Sequence, residues 1–138
     1  MTTLFQPSPT LCTESEVRQL VEAFYDRVRA DDLLGPVFAA HVHDWPQHLE
    51  HLTNFWSSLL RGTRQFDGAP MAKHLAIKGL NWGLFQRWLQ LFSATTAQMG
   101  NVGMQTLADA SAARIAENFW RRYQMAQWPS LPPVLGSV

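Results

Sequence analysis

The stretch that decides the fold is residues 13–38, "TESEVRQLVEAFYDRVRADDLLGPVF". Thr13 and Glu16 are three residues apart, which is the spacing of a capping box at the start of a helix. The apolar residues that follow recur at steps of three and four, so they share one helix face: Val17, Leu20, Val21, Phe24 and Val28. The pattern predicts an amphipathic helix whose apolar stripe faces a core.

Tyr25 lies beside that apolar stripe and carries a polar hydroxyl into an apolar setting. The helix is predicted to end near Ala30. The chain is then expected to turn through Gly35-Pro36, because glycine and proline interrupt regular structure, and this turn delivers Phe38.

A second helix is predicted to start near Asp44 and to end at Arg61-Gly62. Pro46 falls in its first turn, where a missing N–H costs nothing. One face of this helix carries residues at offsets of four, seven and eleven, with two further apolar residues beside them: His48, Leu52, Phe55, Leu59, Trp56 and Leu60. An imidazole on such a face needs a partner or a cavity.

The helical pattern continues to the end of the ordered part of the chain. The segments that carry it are a short one around 70–77, one over 82–98 capped by Asn81, and one over about 102–126. No segment has a strand pattern, so the sequence predicts an all-α domain over residues 13–127. The proline-bearing ends, 1–12 and 128–138, are expected to be flexible.

Composition excludes several function classes. The 138 residues suffice for one domain with a buried core. Lys+Arg and Asp+Glu each total 11, so the formal net charge is zero and gives no electrostatic footprint for nucleic acid or an anionic membrane. The single cysteine, Cys12, cannot close an internal disulfide, and the first ten residues lack a signal-peptide pattern. We expect a cytoplasmic protein with no nucleic-acid or membrane partner.

The aromatic content admits two interpretations. Six Trp and eight Phe in this chain form either an aromatic core or the lining of a cavity for a flat apolar ligand. A site in which protein side chains alone hold a metal is disfavoured. His41-x-His43 and His48-x-x-His51 have ligand-like spacings, but His-Glu-x-x-His, Glu-x-x-His and cysteine-cluster frameworks are absent.

Polar tips on the predicted apolar faces point to one ligand. Tyr25, His48 and Trp88 project from three different predicted helices, and His74 stands isolated in "PMAKHLAIKG", residues 70–79. Each residue alone is typical of a hydrogen-bonded core group. A bound haem would account for all four, because its iron takes one imidazole on one side of the ring and suits hydrogen-bond donors on the other.

Four blocks carry a resemblance to a known family. They are "LVEAFYDRVRADDLLGPVF" at 20–38, "HDWPQHLEHLTNFW" at 43–56, "FDGAPMAKH" at 66–74 and "FQRWLQLF" at 85–92. In this order they resemble the truncated haemoglobins, specifically group III (the P-type lineage), over roughly residues 14–126. The resemblance implies a truncated globin, a two-over-two helical sandwich around haem b.

The resemblance also implies roles for individual residues. His74 matches the proximal iron ligand, and Tyr25 matches the tyrosine that hydrogen-bonds the bound ligand. His48 matches the distal histidine that can act as a gate, Leu52 the apolar residue one turn later, and Trp88 the distal tryptophan.

Other residues are expected to contact the cofactor. Phe38 matches the aromatic that wedges the ring, while Phe55 and Trp56 match aromatics packed near the pocket. Phe85 faces inward from its predicted helix and is expected to join them. Lys73 is expected to contact a haem propionate, and Lys78 is the other candidate for this contact.

The resemblance implies binding of O2, NO, CO or peroxide with slow release, in support of nitric oxide or reactive-oxygen detoxification with an unidentified reductant. A chain that releases oxygen slowly would be a poor transporter. The alternatives are a ligand-binding or sensing module without turnover, a weak peroxidase, and a haem-free helical interaction domain. We expect a monomer or weak dimer.

Overall fold

The computed structural model describes residues 5–63 and 77–127. Five helices lie in this part of the chain, and every regular element within it is helical. They are α1 (Glu14–Ala30), α2 (Gly35–His41), α3 (Trp45–Arg61), α4 (Trp82–Thr96) and α5 (Val102–Gln127). The prediction of an all-α domain is confirmed.

Helix α1 begins and ends where the sequence predicts. Thr13 accepts the N–H of Glu16 at 3.0 Å, and the Glu16 carboxylate accepts the N–H of Thr13 at 2.9 Å, which completes the capping box. The whole predicted stripe is buried, together with Tyr25. Two acidic residues in the first turn and two basic residues in the last turn also suit the helix dipole.

Helix α2 corrects the prediction of a simple turn through Gly35-Pro36. Pro36 takes a first-turn position, where it starts the helix instead of breaking it. Gly35 permits a close approach, since a Cβ there would lie 2.8 Å from the carbonyl oxygen of Arg29. This proximity depends on how α1 and α2 meet, so the local sequence did not reveal it.

Helices α3, α4 and α5 have side-chain caps at their starts. Asp44 accepts the N–H of Gln47 at 3.1 Å, and Asn81 accepts that of Leu84 at 3.1 Å. At α5, Asn101 accepts the N–H of Met104 at 3.0 Å. The predicted starts at Asp44 and Asn81 are therefore confirmed. Gly62 ends α3 in the left-handed conformation, with φ of 71°, which glycine adopts without strain.

Two helix pairs form the sandwich. Helix α1 packs against α3, and α4 packs against α5; α1 also contacts α4, and α3 contacts α5. The short α2 packs on α1. The core between the pairs is apolar, and its largest fully buried side chains include Trp56, Phe24, Phe92, Leu20 and Leu60.

The segment before α1 contacts the helices. The N–H of Ser8 donates to the carbonyl of Leu60 at 3.0 Å, and Nε of Arg61 donates to the carbonyl of Cys12 at 2.9 Å. Cys12 is buried. The flexibility expected of residues 1–12 stays a prediction.

Two predicted segments fall outside the described residues. The tail at 128–138 lies wholly outside them, and of the short helix expected around 70–77 only Ile77 is described. Within 5–63 and 77–127, no helix is both long and apolar enough to cross a membrane.

Candidate functional site

The site is built around Tyr25 on α1 and Trp88 on α4. Tyr25 is only 5 % exposed, and its side chain is hydrogen-bonded to that of Trp88. An indole nitrogen can only donate, so the N–H of Trp88 donates to the hydroxyl oxygen of Tyr25. This bond does not use the O–H proton of Tyr25.

Burial fixes the protonation state of Tyr25. Loss of solvation raises the pKa of Tyr25 to about 12, and the hydrogen bond from Trp88 opposes this rise without cancelling it. The hydroxyl is neutral at physiological pH. The O–H of Tyr25 is therefore available to donate a hydrogen bond.

Aromatic packing orients both members of this pair. Phe24 meets the ring of Tyr25 edge-on at 4.6 Å between centroids and the ring of Trp88 edge-on at 5.4 Å. Phe92 stacks on Trp88 at 5.6 Å with an interplanar angle of 10°. Neighbours on two sides of the indole restrict its rotation, so the direction of its N–H is set by the core.

His48 enters the site from α3. Its ring meets the Tyr25 ring edge-on at 6.0 Å between centroids. The residue as a whole is half-buried, yet its Nε2 atom is buried. The three polar side chains predicted for the ligand side, Tyr25, His48 and Trp88, are thus brought together by α1, α3 and α4.

Trp45 belongs to this site, and sequence reasoning missed it. Its ring meets His48 edge-on at 5.5 Å, lies 6.1 Å from Tyr25 and stacks with Phe38 at 6.4 Å between centroids. The guanidinium of Arg29 lies 4.5 Å from the centroid of the same ring. The missed signal was the three-residue spacing between Trp45 and His48, which places them on one helix face.

Phe38, Leu52 and Phe55 are half-buried side chains around this group. The ring of Phe38 lies 5.7 Å from that of Tyr25 between centroids, and its contact with a cofactor stays a prediction. Trp56 is different, because it is 2 % exposed and stacks on Phe92 at 4.8 Å. Trp56 is therefore a core residue of the described fold, and its contact with a cofactor stays a prediction.

Phe85 lies in a second aromatic cluster, between α4 and α5. Its ring is 6.1 Å from Trp82, 5.6 Å from Phe119 and 5.7 Å from Trp120. All four rings are half-buried. Helix α4 therefore contributes rings to two aromatic clusters, one around Trp88 and one around Phe85.

Tyr123 on α5 holds the chain where the description resumes at Ile77. Its hydroxyl donates to the carbonyl of Ile77 at 2.7 Å and accepts the N–H of Leu80 at 3.2 Å. Gly79 supplies the left-handed residue of this turn, with φ of 84°. One buried hydroxyl therefore closes a turn that begins three residues after His74.

His74 and Lys73 lie outside the described residues, so their predicted roles as iron ligand and propionate partner stay predictions. Among residues 5–63 and 77–127, no three His, Cys, Asp or Glu side chains gather as a metal site would require.

An open groove of about 550 Å³ lies between the α1–α2 connection and α4, lined among others by Asp31 and Arg87. Its lining includes charged and amide side chains, and none of its lining residues is aromatic. We place the functional site at the aromatic group instead, because the buried donors are there.

Comparison with known proteins agrees with this fold. The family model for bacterial-like globins matches residues 10–122. The group 3 truncated hemoglobin ctb of Campylobacter jejuni is 31 % identical over 110 residues, which cover 77 % of this chain and 87 % of that protein. A group 1 truncated hemoglobin, GlbN of Nostoc commune, is 37 % identical over 65 residues, 47 % of this chain and 52 % of that protein.

A solved structure superposes on the fold of this chain. The crystal structure of the group III truncated hemoglobin from Campylobacter jejuni superposes with a TM-score of 0.75 at 30 % identity, covering 81 % of this chain and 91 % of that one. Identity at this level over most of both chains shows common family and not fold alone. The chain belongs to the bacterial-like globin family, and within it to the group III truncated haemoglobins.

Proposed function

We propose that this protein binds haem b and holds O2 and other diatomic ligands with slow release, in support of nitric oxide or reactive-oxygen detoxification. Membership of the globin family implies haem-based ligand binding. The observation that carries the finer proposal is the buried hydrogen bond from Trp88 to Tyr25.

The residues present fit a haem. When bound, haem supplies an iron atom that coordinates diatomic gases. Three side chains with hydrogen-bonding nitrogen or oxygen, namely Tyr25, His48 and Trp88, meet among half-buried apolar rings, as a ligand pocket on one side of a flat apolar cofactor requires. His74 would hold the iron, and Phe38, Leu52, Phe55 and Phe85 would contact the ring.

Tyr25 would retain the bound ligand by donating its O–H. The indole N–H of Trp88 donates into the same hydroxyl oxygen, and successive hydrogen bonds of this kind strengthen each other. A charge-assisted hydrogen bond contributes about 1.5–3 kcal/mol. Since ~1.4 kcal/mol is a tenfold change in rate, release is slow, and slow release suits chemistry at the held ligand better than transport.

His48 would control access to this pocket. Its ring lies against both Tyr25 and Trp45, so an outward swing must separate it from both rings. Trp45 is in turn covered by Arg29. Ligand entry would therefore require a concerted movement of aromatic side chains at the start of α3.

A ligand-binding module without turnover is the alternative, because hydrogen-bond donation by a neutral Tyr25 would retain a ligand whether or not that ligand reacts. A hydroxyl with a pKa of about 12 donates a hydrogen bond but does not deliver a proton. Peroxidase activity would need such delivery, so we rank it below nitric oxide turnover.

The deciding experiment begins with haem-reconstituted full-length protein. A Soret band that is lost or altered in His74→Ala supports haem ligation at position 74. Consumption of nitric oxide by the oxygen-bound form, with a chemical reductant supplied, supports turnover, and its absence leaves the module without turnover. A chain that stays colourless after reconstitution contradicts the whole proposal.

A further inference from the structure

An ion pair joins the end of α1 to α4. Both Nε and Nη2 of Arg87 donate to Oδ1 of Asp31, at 2.8 Å and 2.7 Å. The Asp31 side chain is 5 % exposed and that of Arg87 is 39 % exposed. Two contacts to one shielded carboxylate oxygen hold this pair more firmly than an ordinary surface ion pair.

The second oxygen of Asp31 holds the connection to α2. Its Oδ2 accepts the N–H groups of Leu33 at 3.1 Å and Leu34 at 3.0 Å. The backbone carbonyl of Asp31 also accepts the N–H of Gly35 at 2.9 Å. One aspartate therefore ties together the end of α1, the start of α2 and α4.

These three elements position Tyr25, Phe38 and Trp88 of the candidate site. Arg87 directly precedes Trp88 on α4, Asp31 follows the helix that carries Tyr25, and α2 carries Phe38. The hydrogen bond from Trp88 to Tyr25 crosses from α4 to α1, as the ion pair does. A change in the distance between the two helices at Arg87 would therefore be felt at the adjacent indole.

We propose that Asp31 and Arg87 are positioning residues, which set the geometry of the hydrogen bond from Trp88 to Tyr25. The effect of this ion pair on ligand release rests on the proposed function. Its effect on the hydrogen bond from Trp88 to Tyr25 does not. The pair acts through Trp88 and touches no ligand itself.

The chain offers a matched control on the same two helices. Arg27 of α1 donates through Nη1 to Oγ1 of Thr95 at 2.8 Å and through Nη2 to Gln98. It therefore ties α1 to the far end of α4, away from Trp88. Loss of these hydrogen bonds of Arg27 weakens the contact between α1 and α4. It leaves the helical turn that carries Arg87 and Trp88 unchanged.

The test measures hydrogen exchange of the Trp88 indole N–H by NMR in the full-length chain, with the signal assigned by its loss in Trp88→Phe. Asp31→Asn and Arg87→Met are expected to speed this exchange about tenfold, relative to the exchange in Arg27→Met. Arg87→Lys keeps the charge and is expected to restore part of the protection. Equal exchange in Asp31→Asn, Arg87→Met and Arg27→Met would mean that the ion pair stabilises the fold only, and would overturn the proposal.

A second measurement separates this proposal from the proposed function. In haem-reconstituted protein, Asp31→Asn is expected to speed oxygen release more than Arg27→Met does. If the unaltered chain takes up no haem, the proposed function fails while the exchange result still decides the role of the ion pair. If haem binds and oxygen release is the same in both variants, the positioning role fails and the haem proposal stands.

Discussion

The N–H of Trp88 donates to the hydroxyl oxygen of Tyr25, and this bond joins α4 to α1 at the centre of the ligand-side aromatic group. Both partners are packed by Phe24, so neither is free to turn away. The orientation of the pair is therefore set by the packing of the core itself.

Tyr25→Phe is expected to speed oxygen release from the haem-reconstituted protein by about ten- to a hundredfold, since the variant loses one charge-assisted hydrogen bond. Stopped-flow replacement of oxygen by carbon monoxide measures the rate. Thr106→Val is a suitable control, because the Thr106 hydroxyl donates within α5 to the carbonyl of Val102 at 2.8 Å. An unchanged rate in Tyr25→Phe would refute its role as main donor.

Alkaline pH is expected to destabilise the fold through Tyr25. Its pKa of about 12 in the folded chain exceeds the ordinary value of about 10, so the unfolded chain loses this proton first. The contribution of the protonated Tyr25 hydroxyl to the free energy of unfolding is complete below about pH 10. It declines until about pH 12, by at most ~1.4 kcal/mol per pH unit. Urea unfolding across this range measures the effect, and the slope is expected to be shallower in Tyr25→Phe. Identical slopes would contradict the burial of this hydroxyl.

Gly35→Ala is expected to destabilise the protein by about 1–3 kcal/mol, the cost of forcing an atom into a packed contact. The added Cβ would lie 2.8 Å from the carbonyl oxygen of Arg29, and backbone atoms cannot rotate away. Thermal unfolding measures this loss. Pro36→Ala is the control, because Pro36 is the next residue and is exposed. Similar small losses in both variants would show that α1 and α2 do not meet this closely in solution.

Tyr123→Phe is expected to cost about 1–3 kcal/mol, because it leaves the carbonyl of Ile77 and the N–H of Leu80 without the hydroxyl that serves both. Urea unfolding measures this loss against Thr106→Val. Haem transfer to an acceptor globin is also expected to be faster, since the turn begins three residues after His74. A stability loss without faster haem transfer would limit Tyr123 to a structural role.

Local features of the fold were predictable, and contacts between distant segments were not. The capping box at Thr13 and the cap at Asn81 depend on residues three positions apart, so the sequence contains the whole signal. The helix at Gly35 depends on the nearby carbonyl of Arg29, and the ion pair of Asp31 with Arg87 joins residues 56 positions apart. No periodicity reports such contacts.

The ligand-side residues were identified by resemblance more than by pattern. Helical spacing placed Tyr25, His48 and Trp88 on apolar faces and suggested a common ligand, but only the resemblance gave each residue a role. Helical spacing also places Trp45 on the face of His48, but its contacts with Arg29 and Phe38 depend on tertiary packing, which no spacing reports. The resemblance assigned roles only to residues that match known positions of the family. It therefore did not identify Trp45, which matches no such position.

The burial of Cys12 has a chemical consequence for the proposed reactive-oxygen chemistry. It is the only cysteine of the chain, is 3 % exposed, and burial raises the pKa of its thiol. Oxidants and disulfides react with the exposed thiolate, a form that this residue rarely presents. The chain therefore resists sulfenic acid formation and disulfide-linked dimers under the conditions in which its proposed chemistry would run.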